Sequence, residues 1–411
     1  MYDQSVNHVS IARVLRTSDF NDNKALKAKA VRDAAIEGAV ASGHMAHWET
    51  TPLKASILRG KNVYSLPSFS NELLIRKVNN NVRHFVKIRH PARTSIVTNL
   101  TRIVSEAVQY RIYKLDVKSF YESFAVADVL KKIDDIEQLS LATKKIIREI
   151  FKHVIAMDGS GIPRGLALSA TLSDFMMQDF DRNLRNKNNV FFYSRYVDDI
   201  IIVTSGSELE QKFIKSVEDL LPNGLKLSRK KRYVKFVPHV TDKSKTKYDF
   251  EYLGYKFSVC DPGAKDTFRS VILDIADSKI KKIKTRVTLA VAQYKSAADF
   301  QILEQRIKFL TGNFSIPDDD RVKKKLAGIF YNYHLMDSDQ ADNGLNKLDR
   351  FLRTAILSSS GTIFSKFQLY SSVAERKILL GNSFEDGFNT RSFMHFSPAS
   401  LNLVQGCWKY A

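Results

Sequence analysis

The chain has 411 residues, 44% of them apolar and 11% aromatic, and 64 Lys and Arg against 44 Asp and Glu give a formal charge of +20. Such apolar content excludes global disorder, and the length exceeds what one core usually serves, so two or three subdomains are expected. Basic residues are spread through every segment, which favours a polyanion and puts nucleic acid, with its releasable counterions, ahead of an anionic membrane.

No apolar stretch approaches the roughly 20 residues that a spanning helix needs. The opening Met1-Tyr2-Asp3-Gln4 lacks a charged-then-apolar signal pattern, so a soluble cytoplasmic protein without membrane attachment is expected. Cys260 and Cys407 lie far apart without neighbouring His, which indicates neither a disulfide framework nor a structural zinc. His44 and His47 can share one helix face, but without a third ligand they read as surface or packing residues.

Taken in chain order, the segment from Asn21 to about Ser42 predicts a helix, with Asn21 or Asp22 as cap, apolar Ala25, Leu26, Ala30, Val31 and Ala35, and Gly43 as stop. Its Lys24, Lys27, Lys29 and Arg32 form either a solvated face or a nucleic-acid contact. From Val82 to Val97 apolar residues alternate with Arg83, Lys87, Arg89 and Arg93 around Pro91, which predicts two strands joined by a cationic turn. A second alternating unit, Arg111 to Leu115, runs into Asp116, and helical patterns dominate from Ala127 to about Met157.

Gly159, Gly161, Pro163 and Gly165 form a loop before Leu168, Leu172, Phe175 and Met176 at helical spacing. The loop lacks the Lys-Ser/Thr of a P-loop and reads as a tight turn before a buried helix. A strand around Val190 to Tyr196 and another from Ile200 to Val203 follow, then a helix over Glu208 to Leu221 and further strands between Leu225 and Phe257. Asp261-Pro262-Gly263 marks the expected domain boundary, near 260–277. Beyond it, long helical patterns reach about Ser358, with Ile280, Ile283, Val287 and Ala290 on one face. The aromatic clusters Phe309 to Phe314 and Phe330 to Tyr333 read first as helix packing and second as base-stacking or partner contacts.

One pair of residues does not suit this bland reading. Asp198 and Asp199 precede the β-branched run Ile200-Ile201-Ile202-Val203, so two like charges sit at a turn beside a buried strand. Most such pairs are solvated turn residues; the alternative is that divalent cations neutralise them. If the strand ending in Asp116 neighbours this one, three carboxylates meet at one sheet edge, which suits two Mg²⁺ ions about 4 Å apart and in-line phosphoryl transfer.

Four segments in order carry a resemblance. Leu115-Asp116-Val117-Lys118-Ser119-Phe120-Tyr121, Gly161-Ile162-Pro163-Arg164-Gly165, Arg195-Tyr196-Val197-Asp198-Asp199 and Tyr252-Leu253-Gly254-Tyr255 follow the order and approximate spacing of reverse transcriptase motifs. Over about 85–260 the chain resembles a bacterial reverse transcriptase. The resemblance implies an α+β fold, a right-hand polymerase with an N-terminal helical extension (1–60), fingers and an antiparallel-sheet palm (61–260), and a helical thumb and C-terminal region (278–411).

By the same resemblance, Asp116, Asp198 and Asp199 would be the catalytic, metal-binding carboxylates, with Val117 adding its carbonyl, and the cofactor would be two Mg²⁺ ions, with Mn²⁺ as a substitute. Tyr121 would be the steric gate against ribose, beside Phe120. Lys87, Arg93 and Arg164 would serve the incoming nucleotide, and Lys230 or Lys231 would be the general acid. Gly161, Pro163, Gly165, Tyr196, Leu253, Gly254 and Tyr255 would support template and primer. Many relatives have Gln where this chain has Arg164, which singles that position out.

The segments 165–169 and 309–314 are similar to those of the defence-associated, abortive-infection group, and within it to the smaller polymerase of two-polymerase type-three systems. That implies antiphage defence, a noncoding RNA template, a DNA product made from dNTPs, and a second polymerase subunit or a homo-oligomer as partner. A retron-type enzyme, a template-independent nucleotidyl transferase and a non-catalytic RNA-binding scaffold are the alternatives.

Overall fold

The computed structural model describes residues 2–44, 53–58, 60–88, 91–241, 245–262, 267–297, 299–316 and 325–408. His47, Arg89 and Gly263, named above, lie outside these residues. The chain forms two units, one of residues 1–96 with 108–240 and one of 97–107 with 241–411.

Within the first unit, α1 (His8–Ala12), α2 (Thr17–Asp22) and α3 (Lys29–Gly43) precede a hairpin of β1 (Lys54–Leu58) and β2 (Lys61–Ser65). The expected helix from Asn21 therefore starts later, because the Asn23 side chain accepts from Ala25 N–H and starts a 3-10 turn over Lys24–Lys27 instead. The expected 1–60 extension is likewise not wholly helical, since β1 falls inside it.

The strands expected over Val82 to Val97 are helices: α4 (Phe69–Val86) and α5 (Arg93–Ser105). Leu74, Val78, Val82 and Val86 recur every fourth residue and are buried, a helical stripe that the local alternation after Val82 hides. Ser68 caps α4 by accepting from Asn71 N–H, and Lys87 ends it in a left-handed conformation at φ 49°.

Then come β3 (Tyr110–Asp116), α6 (Val126–Asp134), α7 (Leu141–Ala156), α8 (Ala167–Arg185), β4 (Val190–Tyr196), β5 (Asp199–Thr204), α9 (Glu210–Glu218) and β6 (Tyr233–Val237). These strands make an antiparallel sheet in the order β4-β5-β3-β6. Ile200, Ile201, Ile202 and Val203 are fully buried, which explains why an unbroken β-branched run forms the interior strand β5. Leu168, Leu172, Met177, Phe180 and Leu184 of α8 and Ile146, Ile150, Phe151 and Val154 of α7 join β3 and β5 in one apolar core.

In the second unit β7 (Lys247–Tyr252), β8 (Tyr255–Cys260) and β9 (Ser270–Ile275) form an antiparallel sheet. The β8–β9 pairing, Cys260 opposite Ser270 through Tyr255 opposite Ile275, spans the boundary expected at 260–277, and the units divide at residue 240 instead. Next are α10 (Asp277–Ala297), α11 (Phe300–Thr311), β10 (Asn313–Ile316), β11 (Lys325–Gly328), α12 (Ile329–Tyr333), α13 (Gly344–Leu357), α14 (Phe364–Tyr370), α15 (Val373–Leu380), α16 (Phe384–Asn389), β12 (Phe393–Met394) and α17 (Pro398–Gln405). A small sheet, β11-β10-β12, thus interrupts the helical run expected to about Ser358.

Val287 and Ala290 of α10, Leu303 and Ile307 of α11 and Leu348, Leu352 and Ile356 of α13 are buried. Phe309 and Phe314 stack with ring centres 4.2 Å apart and both are buried, so that cluster packs the core. Cys260 and Cys407 are free thiols, and among the described residues no helix is long and apolar enough to cross a membrane.

Candidate active site

β3 and β5 run antiparallel with Asp116 directly opposite Asp199. Tyr196 pairs with Asp199, leaving Val197-Asp198 as a two-residue hairpin turn in which Val197 adopts φ 60°. For a β-branched residue that is a strained conformation, and strain of this kind gathers where the surroundings over-determine the backbone. The Val117 N–H donates to the Asp198 carbonyl at 3.2 Å, tying the turn to the end of β3. Register and this hydrogen bond together therefore bring the three aspartates to one end of β3 and β5.

Asp116 is buried, at 6% exposure. Burial raises the Asp199 carboxyl above its ordinary pKa, and the charges of Asp198 and Asp116 raise it further. Lys231 Nζ sits 2.7 Å from Asp116 Oδ1, and this hydrogen bond, reinforced by the charge of Asp116 and its two neighbours, raises the Lys231 pKa. Both lysines named for the general acid are exposed, and Lys231 is the one whose ammonium meets Asp116.

Among the described residues, no cluster of three or more His, Cys, Asp or Glu is arranged as a ready metal cage. The residues nevertheless suit a hard divalent cation: their donors are carboxylate oxygens, Asp199 carries excess negative charge around it, and a Lys ammonium already stands on Asp116 as a cation would.

The turn rests on a buried guanidinium. Arg195, with a side chain 3% exposed, donates from Nε and Nη2 to Asp181 of α8, from Nη1 to Asp174 one helical stretch earlier, and from Nη1 to the Val197 carbonyl at 2.9 Å. Tyr193 Oη also donates to Asp181. Burial alone would lower the Arg195 pKa, but these carboxylates outweigh it and hold the charge on. Sequence reasoning placed Arg195 in a motif but gave no role to Asp174 or Asp181; their spacing of seven on a helix, which puts both on one face, was the available signal.

The glycine loop is stitched to Tyr121 and to β2. Ile162 N–H donates to the Tyr121 carbonyl at 2.8 Å, and Tyr64 N–H donates to the Arg164 carbonyl at 2.7 Å. Gly161 has φ 66°, and a Cβ there would lie 2.2 Å from the Tyr121 carbonyl oxygen. At Gly165, φ 105°, it would lie 2.5 Å from the Tyr64 oxygen. Both glycines are thus required by backbone approach. The Ser169 hydroxyl donates to the Pro163 carbonyl, joining the loop to α8.

Phe120 is 2% exposed and packs in the core against Phe124, so its side chain serves packing. Tyr121 is half-buried, and its hydroxyl is engaged by Ser173 of α8. Lys87 is exposed at the end of α4 and Arg93 opens α5, so these two cations flank a helix–helix link and not a hairpin turn. In the second unit, Leu253 (φ 47°) and Gly254 (φ 84°) make the β7–β8 hairpin turn between buried Tyr252 and Tyr255.

The first unit is thus a mixed α+β unit whose antiparallel sheet carries acidic residues on its two middle strands. Residues 64–257, just under half the chain, match the family model of reverse transcriptase (RNA-dependent DNA polymerase). Residues 64–257 are thus similar to the reverse transcriptase domain of RNA-directed DNA polymerases, and domains of this family work with divalent metal.

Among solved structures, a telomerase from Candida albicans in complex with a TWJ fragment of telomeric RNA is similar at 12% identity and TM-score 0.36, over 88% of this chain and 62% of that one. Apo telomerase from Candida tropicalis, truncated from its C-terminal domain, is similar at 13% identity and TM-score 0.34, over 51% of this chain and 53% of that one. The chain thus spans between half and two thirds of the length of these structures. No functionally curated protein matches it in sequence.

Proposed function

We propose that this protein is an RNA-directed DNA polymerase that extends a primer with dNTPs, copying a noncoding RNA in the cytoplasm in antiphage defence. The observation that carries the polymerase reading is the register that sets Asp116 against Asp199 with Asp198 tied to the same strand end. A binding scaffold would have no use for clustered carboxylates on a surface meant for phosphates.

Asp116, Asp198 and Asp199, with the Val117 carbonyl, would hold the divalent ions, taken here as Mg²⁺. Such ions supply Lewis acidity at the primer hydroxyl and neutralise the triphosphate. Lys231 is kept protonated by Asp116, which suits it to yield a proton to departing pyrophosphate once its carboxylate partner is engaged elsewhere. Tyr121 would exclude the ribose 2′-hydroxyl, and the loop from Gly161 to Gly165 would present backbone to the template and nascent pair. The sheet β4-β5-β3-β6 would be the palm, and the helices after residue 277 the thumb. The defence setting, the noncoding template and a second polymerase subunit rest on the similarity of segments 165–169 and 309–314 to the defence-associated group.

Primer extension with dNTPs or rNTPs, with and without an RNA template, tests this reading. Template-dependent dNTP incorporation is expected. Incorporation without template would favour a terminal transferase, and none at all a scaffold. Asp198→Ala is expected to reduce extension by at least about 10²-fold while leaving RNA binding intact. Sequencing the nucleic acid that copurifies with the protein tests the defence setting, because a single recurring noncoding RNA is the expected result.

A further inference from the structure

Tyr121 can exclude a hydroxyl only if its ring cannot yield, and the structure shows what packs against the ring. The Arg164 guanidinium lies over its face, with the central carbon 4.9 Å from the ring centre. That guanidinium is oriented in turn, because Nε donates to Glu122 Oε1 at 3.1 Å. Lys61 Nζ of β2 holds the other oxygen, Glu122 Oε2, at 3.3 Å. Backbone contacts fix both ends of the arrangement, through Ile162 N–H to the Tyr121 carbonyl and Tyr64 N–H to the Arg164 carbonyl. Phe120 meets the Tyr121 ring edge-on at 5.3 Å, and Ser173 engages its hydroxyl.

We propose that Arg164 is a positioning residue for sugar selection, a planar cation that Glu122 and Lys61 lock against Tyr121 so that the ring resists displacement by a ribose 2′-hydroxyl. The proposal rests on the reading of Tyr121 as the gate.

The chemistry of the contact favours Arg over a neutral amide at this position. A guanidinium attracts the negative face of an aromatic ring and lies flat on it, while its edge remains available for a carboxylate. One residue therefore joins the ring to an ion-pair chain, Arg164–Glu122–Lys61, that ends on the β1–β2 hairpin. Burial would raise the Glu122 carboxyl, yet its own backbone, Arg164 and Lys61 hold it below its ordinary range, so the acidic link stays charged at neutral pH. These three side chains also line a 260 Å³ pocket with Asn62, Ser119 and Ser160.

The test is the ratio of kcat/KM for a dNTP to that for the matching rNTP in single-nucleotide extension, a quantity that a merely less stable enzyme does not change. Tyr121→Ala is expected to lower the ratio strongly. Arg164→Ala is expected to lower it about 10-fold, mainly through a smaller KM for the rNTP, with Glu122→Gln intermediate and Arg164→Lys partly restoring discrimination. Adding Arg164→Ala to Tyr121→Ala should change nothing further, since the support acts only through the ring.

If Tyr121→Ala lowers the ratio and Arg164→Ala does not, or if the two effects multiply in the double variant, the clamp is wrong and the gate stands. If Tyr121→Ala leaves the ratio unchanged, the gate itself falls and the clamp with it. Should Arg164→Ala fail to fold, Glu122→Gln and Arg164→Lys decide the matter by the same ratio, and wild-type discrimination in both would overturn the proposal.

Discussion

Asp199 pays for its position in stability. Its carboxyl is raised in the folded protein, so folding favours the protonated form: that contribution is present below the ordinary carboxylate pKa and is lost as pH rises through the raised value. Asp199→Asn should therefore raise the melting temperature of the metal-free protein at neutral pH, on the order of 2 °C, while extension is lost. A scan in chelator at pH 7 checks this, and a lower melting temperature would contradict it. Arg195 acts in the opposite sense, since it both compensates charge and carries the Val197 carbonyl. Arg195→Met should cut extension about 10- to 100-fold, as losses of such supporting hydrogen bonds do, and should also destabilise the fold because Asp181 and Asp174 lose the cation they share. Raising the Mg²⁺ concentration should recover part of the activity if the turn is loosened, and none if the sheet has collapsed.

The three aspartates were legible in the sequence because strand patterns flank them and their order follows a known series of motifs. The chain of contacts behind them was less so. Asp174 and Asp181 declare only a helix face, and nothing local says that Arg195 turns inward to meet it. The choice between Lys230 and Lys231 was also beyond sequence reasoning, because adjacent residues after a short strand-like segment differ only in the direction the backbone gives them.

At the scale of elements, helices with long apolar stripes were readable, as with α8, where Leu168, Leu172 and Phe180 keep to one side. The segment over Val82 to Val97 reads as strands and folds as helices because Val82 lies near the end of a stripe that starts at Leu74, and charged residues on the exposed side imitate alternation. The sheet β11-β10-β12 was hidden for another reason: its strands are short, and β10 and β12 are brought together only by the tertiary fold.

The glycine loop gives a prediction at this scale. A methyl group at Gly161 meets the Tyr121 and Glu122 backbone, which cannot move aside as a flexible side chain can, and φ 66° disfavours Ala besides. Gly161→Ala is expected to destabilise the protein by about 1–3 kcal/mol, read from denaturant midpoints, and to reduce extension more than stability alone explains.

Over the whole molecule, the excess of 64 basic over 44 acidic residues makes binding to nucleic acid an ionic-strength experiment. If the basic residues follow phosphates without reading bases, affinity for a template–primer duplex should fall at least about 10-fold between 50 and 200 mM salt, whatever its sequence. A salt-independent affinity would mean that the charge serves solubility. Composition gives this expectation, and length gives two or three subdomains; neither could give the division at residue 240, because the strands on either side of Asp261 belong to one sheet.

The ammonium on Asp116 has a practical consequence. With a tethered counterion of its own, the resting chain does not depend on dissolved salts of magnesium to keep that carboxylate quiet. Protein purified and stored in EDTA should therefore survive as a latent enzyme, waking when the lysine is displaced from its acid.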